Sequence, residues 1–472
     1  MGYNEDGDFM KNVVQIVIVS LYFFIGYTFV FGFLVFNLPL IVPSDITYDV
    51  ETLLEPTSEP TYAYILDQGD MALDARLAII EAAEESIDIS YYTIHGGTAR
   101  DIFFGSLLEA ADRGVHINLL LDDMFYYQTR DTNLPYDAFA SHENITFKFY
   151  EPYNPVLPYT IQNRLHDKFI VVDERYGIIG GRNIGDRYFE MPESDWAFTH
   201  DLDVLVFGDG PHSTITAMSD YYNALFSQPY TKLHVQHETD RILEEQTRMR
   251  DVFKAYKDTV YPDDTLNTLI NTAIEVDRAA FIHGPVNRMH KEPVILRTLT
   301  EIALGYDAWF VLSPYVIFSP LMLSVLPDAE AAETITFLTN SPAVSPNPFA
   351  MSGYMRYRND LAAVATVHEY QGEHSLHGKA MIFGDEISVI GTLNMDPRSA
   401  TLSTESVMVI SSETFTTEFQ ALMDAYIDQS LVVNPDGSYQ PDSTVDMVEI
   451  SRTKAIQLRI IGFFTYFFDS ML

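Results

Sequence analysis

The stretch Leu165-His166-Asp167-Lys168-Phe169-Ile170-Val171-Val172-Asp173, followed by Gly180-Gly181-Arg182-Asn183, decides the fold because it comes back. In the second half Leu376-His377-Gly378-Lys379-Ala380-Met381-Ile382-Phe383 leads to Gly391-Thr392-Leu393-Asn394. In both copies His precedes Lys by two residues, Gly by fourteen and Asn by seventeen. A spacing kept at four residue types marks an internal repeat. The surroundings recur as well. Upstream of the first copy the apolar periodicity predicts helices over 71–85 and 102–113 and strands over 87–94, 115–121 and 145–150. Upstream of the second it predicts a helix near 294–303 and strands over 308–312, 334–338 and 365–369. Helices alternating with strands imply an α/β fold, two related domains of mixed sheets flanked by helices.

The repeated residues carry a chemistry of their own. His-x-Lys within a strand turns both side chains to one face. A glycine pair followed by Asn marks a tight turn where backbone can approach a ligand and an amide can donate to it. If the halves pack as a pseudo-twofold pair, two His, two Lys and two Asn meet at one place. Such a site suits a phosphodiester: Lys and Asn hold the nonbridging oxygens, one His attacks phosphorus and the other protonates the leaving alkoxide. The lysines supply positive charge at the phosphate, so neither a metal nor a cofactor is called for.

The spacing His-x-Lys-x4-Asp-x6-Gly-Gly-x-Asn at His166, Lys168, Asp173, Gly180, Gly181 and Asn183 resembles the duplicated motif of the phospholipase D superfamily. Flanking residues resemble its bacterial cardiolipin synthase branch: Arg164, Ile184-Gly185-Asp186 with Tyr188-Phe189, Asp201-Leu202-Asp203-Val204, Asn394-Met395-Asp396-Pro397-Arg398-Ser399 and Thr404-Glu405. The second copy departs at its acidic position, where Gly384 stands and Asp385 follows one residue late. The resemblance implies two phospholipase D-like domains sharing one active site. It implies His166 as the nucleophile of a phosphohistidine intermediate and His377 as the general acid. Lys168, Lys379, Asn183 and Asn394 would hold phosphate, with Asp173 supporting the first motif. It also implies a carboxylate orienting each histidine, for which Glu405 serves one copy and Asp201, with Asp203 close behind, the other. The activity implied is transfer of a phosphatidyl group between molecules of phosphatidylglycerol, giving cardiolipin and glycerol. The alternatives are a phospholipase D releasing phosphatidic acid and an inactive lipid-binding homologue.

Composition limits the partners. The 472 residues carry 28 Lys+Arg against 67 Asp+Glu, a net charge of −39, which disfavours nucleic acid. Cysteine is absent, so there is no thiol nucleophile and no thiolate metal site. Residues 12–44 hold no charge, and 13–36 are almost continuously apolar, which reads as an uncleaved transmembrane helix ended by Leu38-Pro39 and Pro43. Lys11 precedes this run beside Glu5, Asp6 and Asp8, while Asp45, Asp49, Glu51, Glu55 and Glu59 follow it. The positive-inside rule then sets the body on the external face of a bacterial cell membrane. The expected organisation is an anchor over 1–44, an extended tether over 45–62, a first domain over 63–230, a helical connector over 231–285 and a second domain over 286–472. His95, His283 and His290 read as loop residues, and the apolar C-terminal stretch 455–472 as a helix closing the second domain, with an element lying in the membrane interface as the alternative.

Overall fold

The computed structural model describes residues 5–472 apart from 39, 125, 127–132, 193, 195–196, 263, 324–333 and 442–443. Pro39, one of the expected helix stops, lies outside the described residues. Two sheets carry the repeat. The first runs Lys232–Leu233, Ile145–Tyr150, His116–Asp122, Ser86–Tyr91, Lys168–Val172, Tyr176–Gly180, Asp203–Phe207, Tyr62–Leu66, Ile274–Glu275. The second runs Ser430–Val432, Thr366–Tyr370, Thr334–Asn340, Ala308–Leu312, Ala380–Phe383, Ile387–Gly391, Ser406–Ser411, Arg278–His283. The first eight strands of the first order match the eight of the second, and Ile274–Glu275 is added at the edge of the first sheet. In each sheet the three strands upstream of the motif pair in parallel, while the motif strands form antiparallel hairpins. Parallel neighbours need crossover connections, which the helices supply.

The sheets share one core. Phe169, Val171, Ile179 and Val204 of the first meet Ile382, Ile390, Met408 and Ile410 of the second. Helices Gly69–Glu81 and Thr98–Asp112 cover the outer face of the first sheet, and Val294–Ala303 and Pro348–Val364 that of the second. Both faces of the motif strands are therefore buried, which is why Lys168–Val172 and Ala380–Phe383 read as unbroken apolar runs rather than alternating ones.

The segments before and between the repeats differ from the expectations in three ways. The stretch read as a tether is fastened: Ile41–Val42 pairs in parallel with His290–Lys291, Ser44 N–H donates to Glu292, and Val50–Leu54 forms a short helix capped by Asp49. Prolines and acids mimic a loose linker, but Tyr48 and Leu53 bury against the second core. The connector holds helices Asp240–Thr259 and Thr265–Thr272, then ends in the edge strands Ile274–Glu275 and Arg278–His283, one for each sheet. Neither His283 nor His290 is a loop residue: His283 ends strand Arg278–His283, and the His290 ring bonds Phe36 O at 2.7 Å and Thr401 Oγ1 at 3.1 Å.

Helix Glu5–Gly32 opens the chain, and residues 10–37 are long and apolar enough to cross a bilayer. Its flank is bare, with Val19 66% and Phe23 77% exposed. Its foot touches the body. Gln162 donates to Gly32 O at 2.9 Å, Tyr27 donates to Val156 O, and the Phe29 and Phe33 rings pack on Phe468.

Candidate active site

Each histidine enters the site beside a segment of the other half. Ser375–Leu376 pairs in parallel with Thr199–His200, and His377 N–H donates to His200 O at 2.7 Å. Across the pseudo-twofold axis Leu165 bridges Thr404, and His166 N–H donates to Thr404 Oγ1. The residue after each partner segment is an acid, so the carboxylates are exchanged. Asp201 Oδ2 lies 2.6 Å from His377 Nδ1, and the Glu405 oxygens lie 2.8 and 3.0 Å from His166 Nδ1. Both acids are essentially buried, while the imidazoles retain 14% and 25% side-chain exposure for His166 and His377. An ionised carboxylate can only accept, so opposite Asp201, and opposite Glu405 in its ionised form, Nδ1 carries a proton and the neutral ring keeps its lone pair on Nε2.

The residues that hold these segments also match. Leu165 N–H donates to Asp122 and Leu376 N–H donates to Asn340, both at 2.8 Å, each acceptor ending an equivalent strand. The Asn183 amide donates to Tyr188 Oη and the Asn394 amide to Ser399 Oγ, each five residues on and each at 3.3 Å. Both Asn Oδ1 atoms are buried without a hydrogen-bond partner among the described residues. Lys168 and Lys379 are buried, each donating to the carbonyl of its own His.

Burial and crowded cations set the electrostatics. Burial pushes Lys168 down to about 7 and Lys379 down to about 8, and the Lys379 charge adds to the effect on Lys168. Burial, with the neighbouring Lys168, Lys379 and Arg398, holds His166 well below the usual imidazole value. Burial and Lys379 bring His377 to about 4, with Asp201 opposing them. The two acids differ. Burial pushes Glu405 up to about 7 against the pull of Lys168. Burial also acts to raise Asp201, but His377 and Lys379 outweigh it and hold that carboxyl far below the carboxylate range. The cross-influence of Lys379 on His166 and of Lys168 on His377 reflects one shared electrostatic field.

The structure separates residues that the motif spacing had grouped. His166, Lys168, Asn183, Asp201, His377, Lys379, Asn394 and Glu405 converge, but Asp173 does not. It sits beyond the far end of strand Lys168–Val172, at φ +52°, and accepts the backbone N–H groups of Glu84, Glu85 and Ser86 at 2.7–2.9 Å. Asp173 is thus a hairpin clamp. Asp203 does not orient a histidine either: it is paired with buried Arg76 and Arg182 at 2.8 and 3.2 Å. The histidines precede the motif strands rather than lying in them, which begin at Lys168 and Ala380. The glycine pair serves close packing instead of a ligand. A Cβ on Gly181 would stand 2.1 Å from Asp201 Oδ1, and one on Gly180 2.2 Å from Asp203 Oδ1.

Sequence reasoning gave no role to the aromatic and cationic rim. The Tyr92 ring lies 5.0 Å from that of His166, with Lys168 Nζ 5.4 Å above it, and Tyr188 lies 5.7 Å from His377. Arg398 donates to Gln162 Oε1 and Met471 O and acts electrostatically on His166. Lys291 is buried with no hydrogen-bond partner for Nζ among the described residues, and burial brings it to about 7 despite Glu405 and Asp167. Repetition exposed the His, Lys and Asn residues. Tyr188 is matched by Ser399 in the second copy, but Arg398 has a twin: Arg187 and Arg398 each follow the motif Asn by four residues, a signal that was present in the sequence. No group of three acidic or histidine side chains among the described residues is arranged to hold a metal ion.

Comparison with known proteins agrees with this geometry. Over 463 residues the chain is 27% identical to an uncharacterized protein of Helicobacter pylori, covering 88% of this chain and 90% of the relative. It is 27% identical to cardiolipin synthase C of Escherichia coli, covering 74% and 81%, and 24% identical to a cardiolipin synthase of Staphylococcus aureus, covering 72% and 62%. Among solved structures, phosphatidylserine synthase of Haemophilus influenzae matches with a TM-score of 0.60 at 13% identity, covering 90% of this chain and 99% of that one, a likeness of fold. The family model of the cardiolipin synthase phospholipase D-like domain matches twice, over residues 77–222 and 310–427, one match on each sheet. With its two copies crossed at a common pair of imidazoles, the chain belongs to that family.

Proposed function

We propose that the chain is a membrane-anchored phosphatidyltransferase that converts two molecules of phosphatidylglycerol into cardiolipin and glycerol. The observation that carries this reading is the exchanged pairing of His166 with Glu405 and His377 with Asp201. His166, neutral and with Nε2 free, attacks phosphorus. His377 takes up a proton on Nε2 as the anionic substrate binds beside it, the ionised Asp201 stabilising the imidazolium, and the P–O bond to the glycerol headgroup breaks as the alkoxide takes that proton. The primary hydroxyl of a second phosphatidylglycerol then gives its proton to His377, its oxygen attacks phosphorus, and the P–N bond breaks. Lys168, Lys379, Asn183 and Asn394 hold the nonbridging oxygens. The anchor keeps the body near its lipid and offsets repulsion between an acidic protein and anionic headgroups. The single lysine before the apolar run favours a body on the external face, which proteolysis of sealed vesicles of known sidedness tests.

Incubation of the full chain with phosphatidylglycerol in detergent, followed by product analysis, tests the reaction. Cardiolipin with equimolar glycerol supports it. Phosphatidic acid as the main product replaces it with hydrolysis, and absence of any phosphatidyl transfer replaces it with lipid binding.

A further inference from the structure

The C-terminal helix Arg452–Thr465 is apolar on two faces, and among the described residues only one has a protein partner. Leu458 and Thr465 are buried, Thr465 Oγ1 lies 3.0 Å from Ser352 Oγ, and Gly462 passes over the same serine. This side packs on helix Pro348–Val364, as the sequence led us to expect. The other side carries Ile456, Ile460, Phe463 and Phe464, continued by Phe467, at spacings that form one stripe. Each of the five is between 55% and 66% exposed. Leaving five large apolar side chains in water in one contiguous strip is costly, and soluble surfaces rarely do it.

The position of the strip says what covers it. It runs directly into the foot of the apolar N-terminal helix: Phe468 packs on Phe29 and Phe33, Asn37 donates to Phe467 O, and Ser470 donates to Phe36 O. On the opposite side of that foot Val156 and Leu157 are also exposed, at 70% and 39%. Arg452 and Arg459, both exposed, place two cations on this helix of a strongly acidic chain. Apolar and aromatic side chains continuous with a membrane span and accompanied by arginines fit the boundary between lipid headgroups and acyl chains.

We propose that the Ile456 to Phe467 face is a second membrane-binding element that lies in the bilayer interface beside the N-terminal span. The same segment ends at the active site: Arg398 Nε donates to Met471 O and Arg398 N–H donates to Leu472 O. The interfacial helix therefore fixes the height of the histidine pair above the lipid. This inference does not depend on which reaction the site performs.

The absence of cysteine makes a direct test available, since one introduced thiol carries one spin label. Phe463→Cys, Phe467→Cys and, as a solvent-facing control, Lys254→Cys are labelled in the full chain and reconstituted into vesicles of phosphatidylcholine and phosphatidylglycerol. Power saturation compares collisions with oxygen, which concentrates in lipid, and with a water-soluble nickel chelate. The ratio of oxygen to nickel accessibility is expected to be at least about threefold higher at 463 and 467 than at 254, by analogy with side chains held 5–10 Å into the boundary. A ratio equal to the control means water covers the face, and low access to both reagents means protein covers it, as a second copy would. Either result overturns the proposal.

Discussion

The two halves share the order of eight strands, yet they treat the same hairpin differently. In the first, Asp173 at φ +52° clamps three backbone amides of the preceding loop. In the second, Gly384 occupies the equivalent turn at φ +59°, and the Tyr306 ring fills the space, so close that a Cβ would fall 2.5 Å from Cδ1. Tyr306 in turn donates to Glu386 in that hairpin. A carboxylate and an aromatic ring solve one problem, anchoring the turn at the end of a buried hairpin. The loss of the motif acid in the second copy is therefore a substitution of support, and it leaves the histidine end untouched. At that end the difference lies in charge: Asp201 stays firmly ionised while burial lifts Glu405 to about 7. Burial lowers both imidazoles, and the proposed division of labour rests on the carboxylate each one faces.

This asymmetry can be broken most severely at the rings. His166→Ala and His377→Ala should each lower turnover of phosphatidylglycerol by roughly 10⁴-fold. They should part on a phosphodiester whose leaving group needs no protonation: His377→Ala keeps a burst of released leaving group and a labelled protein, and His166→Ala does not. Equal loss of the burst in both variants would erase the division of labour.

The orienting acids come next. Asp201→Asn should cost about 10²–10⁴-fold, because it removes the charge that steadies an imidazolium. Glu405→Gln should cost less, since its acid is already near half protonation at neutral pH. A reversed order in kcat would exchange the roles assigned to the two halves.

The lysines give a pH signature. Burial holds both below their usual value, so their charge is present at low pH and is lost as pH rises through about 7 and about 8. Affinity for a phosphate analogue such as vanadate should be greatest below pH 7 and fall by up to about tenfold per unit above 8. Lys379→Met should flatten the upper part of that decline.

The hairpin contrast is testable by stability. Asp173→Ala removes three amide contacts and should destabilise the protein by about 2–3 kcal/mol with kcat nearly unchanged. Gly384→Asp, which recreates the missing motif residue, should destabilise rather than rescue, because the ring of Tyr306 must move. A stabilised Gly384→Asp variant would mean the turn lacks support. The smallest effect is expected at Lys291→Met, within about threefold in kcat, since this ammonium acts on Glu405 only through the field.

The repeat made the architecture legible from sequence. Strands over 145–150 and 308–312 and the helix over 294–303 were readable to the residue because long apolar patterns end at clear breaks there. The motif also marked the His, Lys and Asn residues that converge. It could not tell support from chemistry: Asp173 and Gly181 stand in the first copy of the motif for packing reasons that only the folded chain reveals, and the second copy has Gly384 and Thr392 in their places. The exchange of Asp201 and Glu405 was equally hidden, since spacing along the chain says nothing about which half a carboxylate faces. Residues without a twin, such as Tyr188, which Ser399 replaces in the second copy, left no periodic trace.

The fastening between membrane helix and body has a mechanical outcome. Gln162 on Gly32, Ile41–Val42 alongside His290–Lys291, and Ser44 on Glu292 leave no swivel at the junction. The protein then rides in its lipid like a keeled boat, free to drift and spin about one axis but unable to pitch. Bilayer thickness should accordingly be transmitted to the reacting rings as a vertical offset instead of being absorbed by slack.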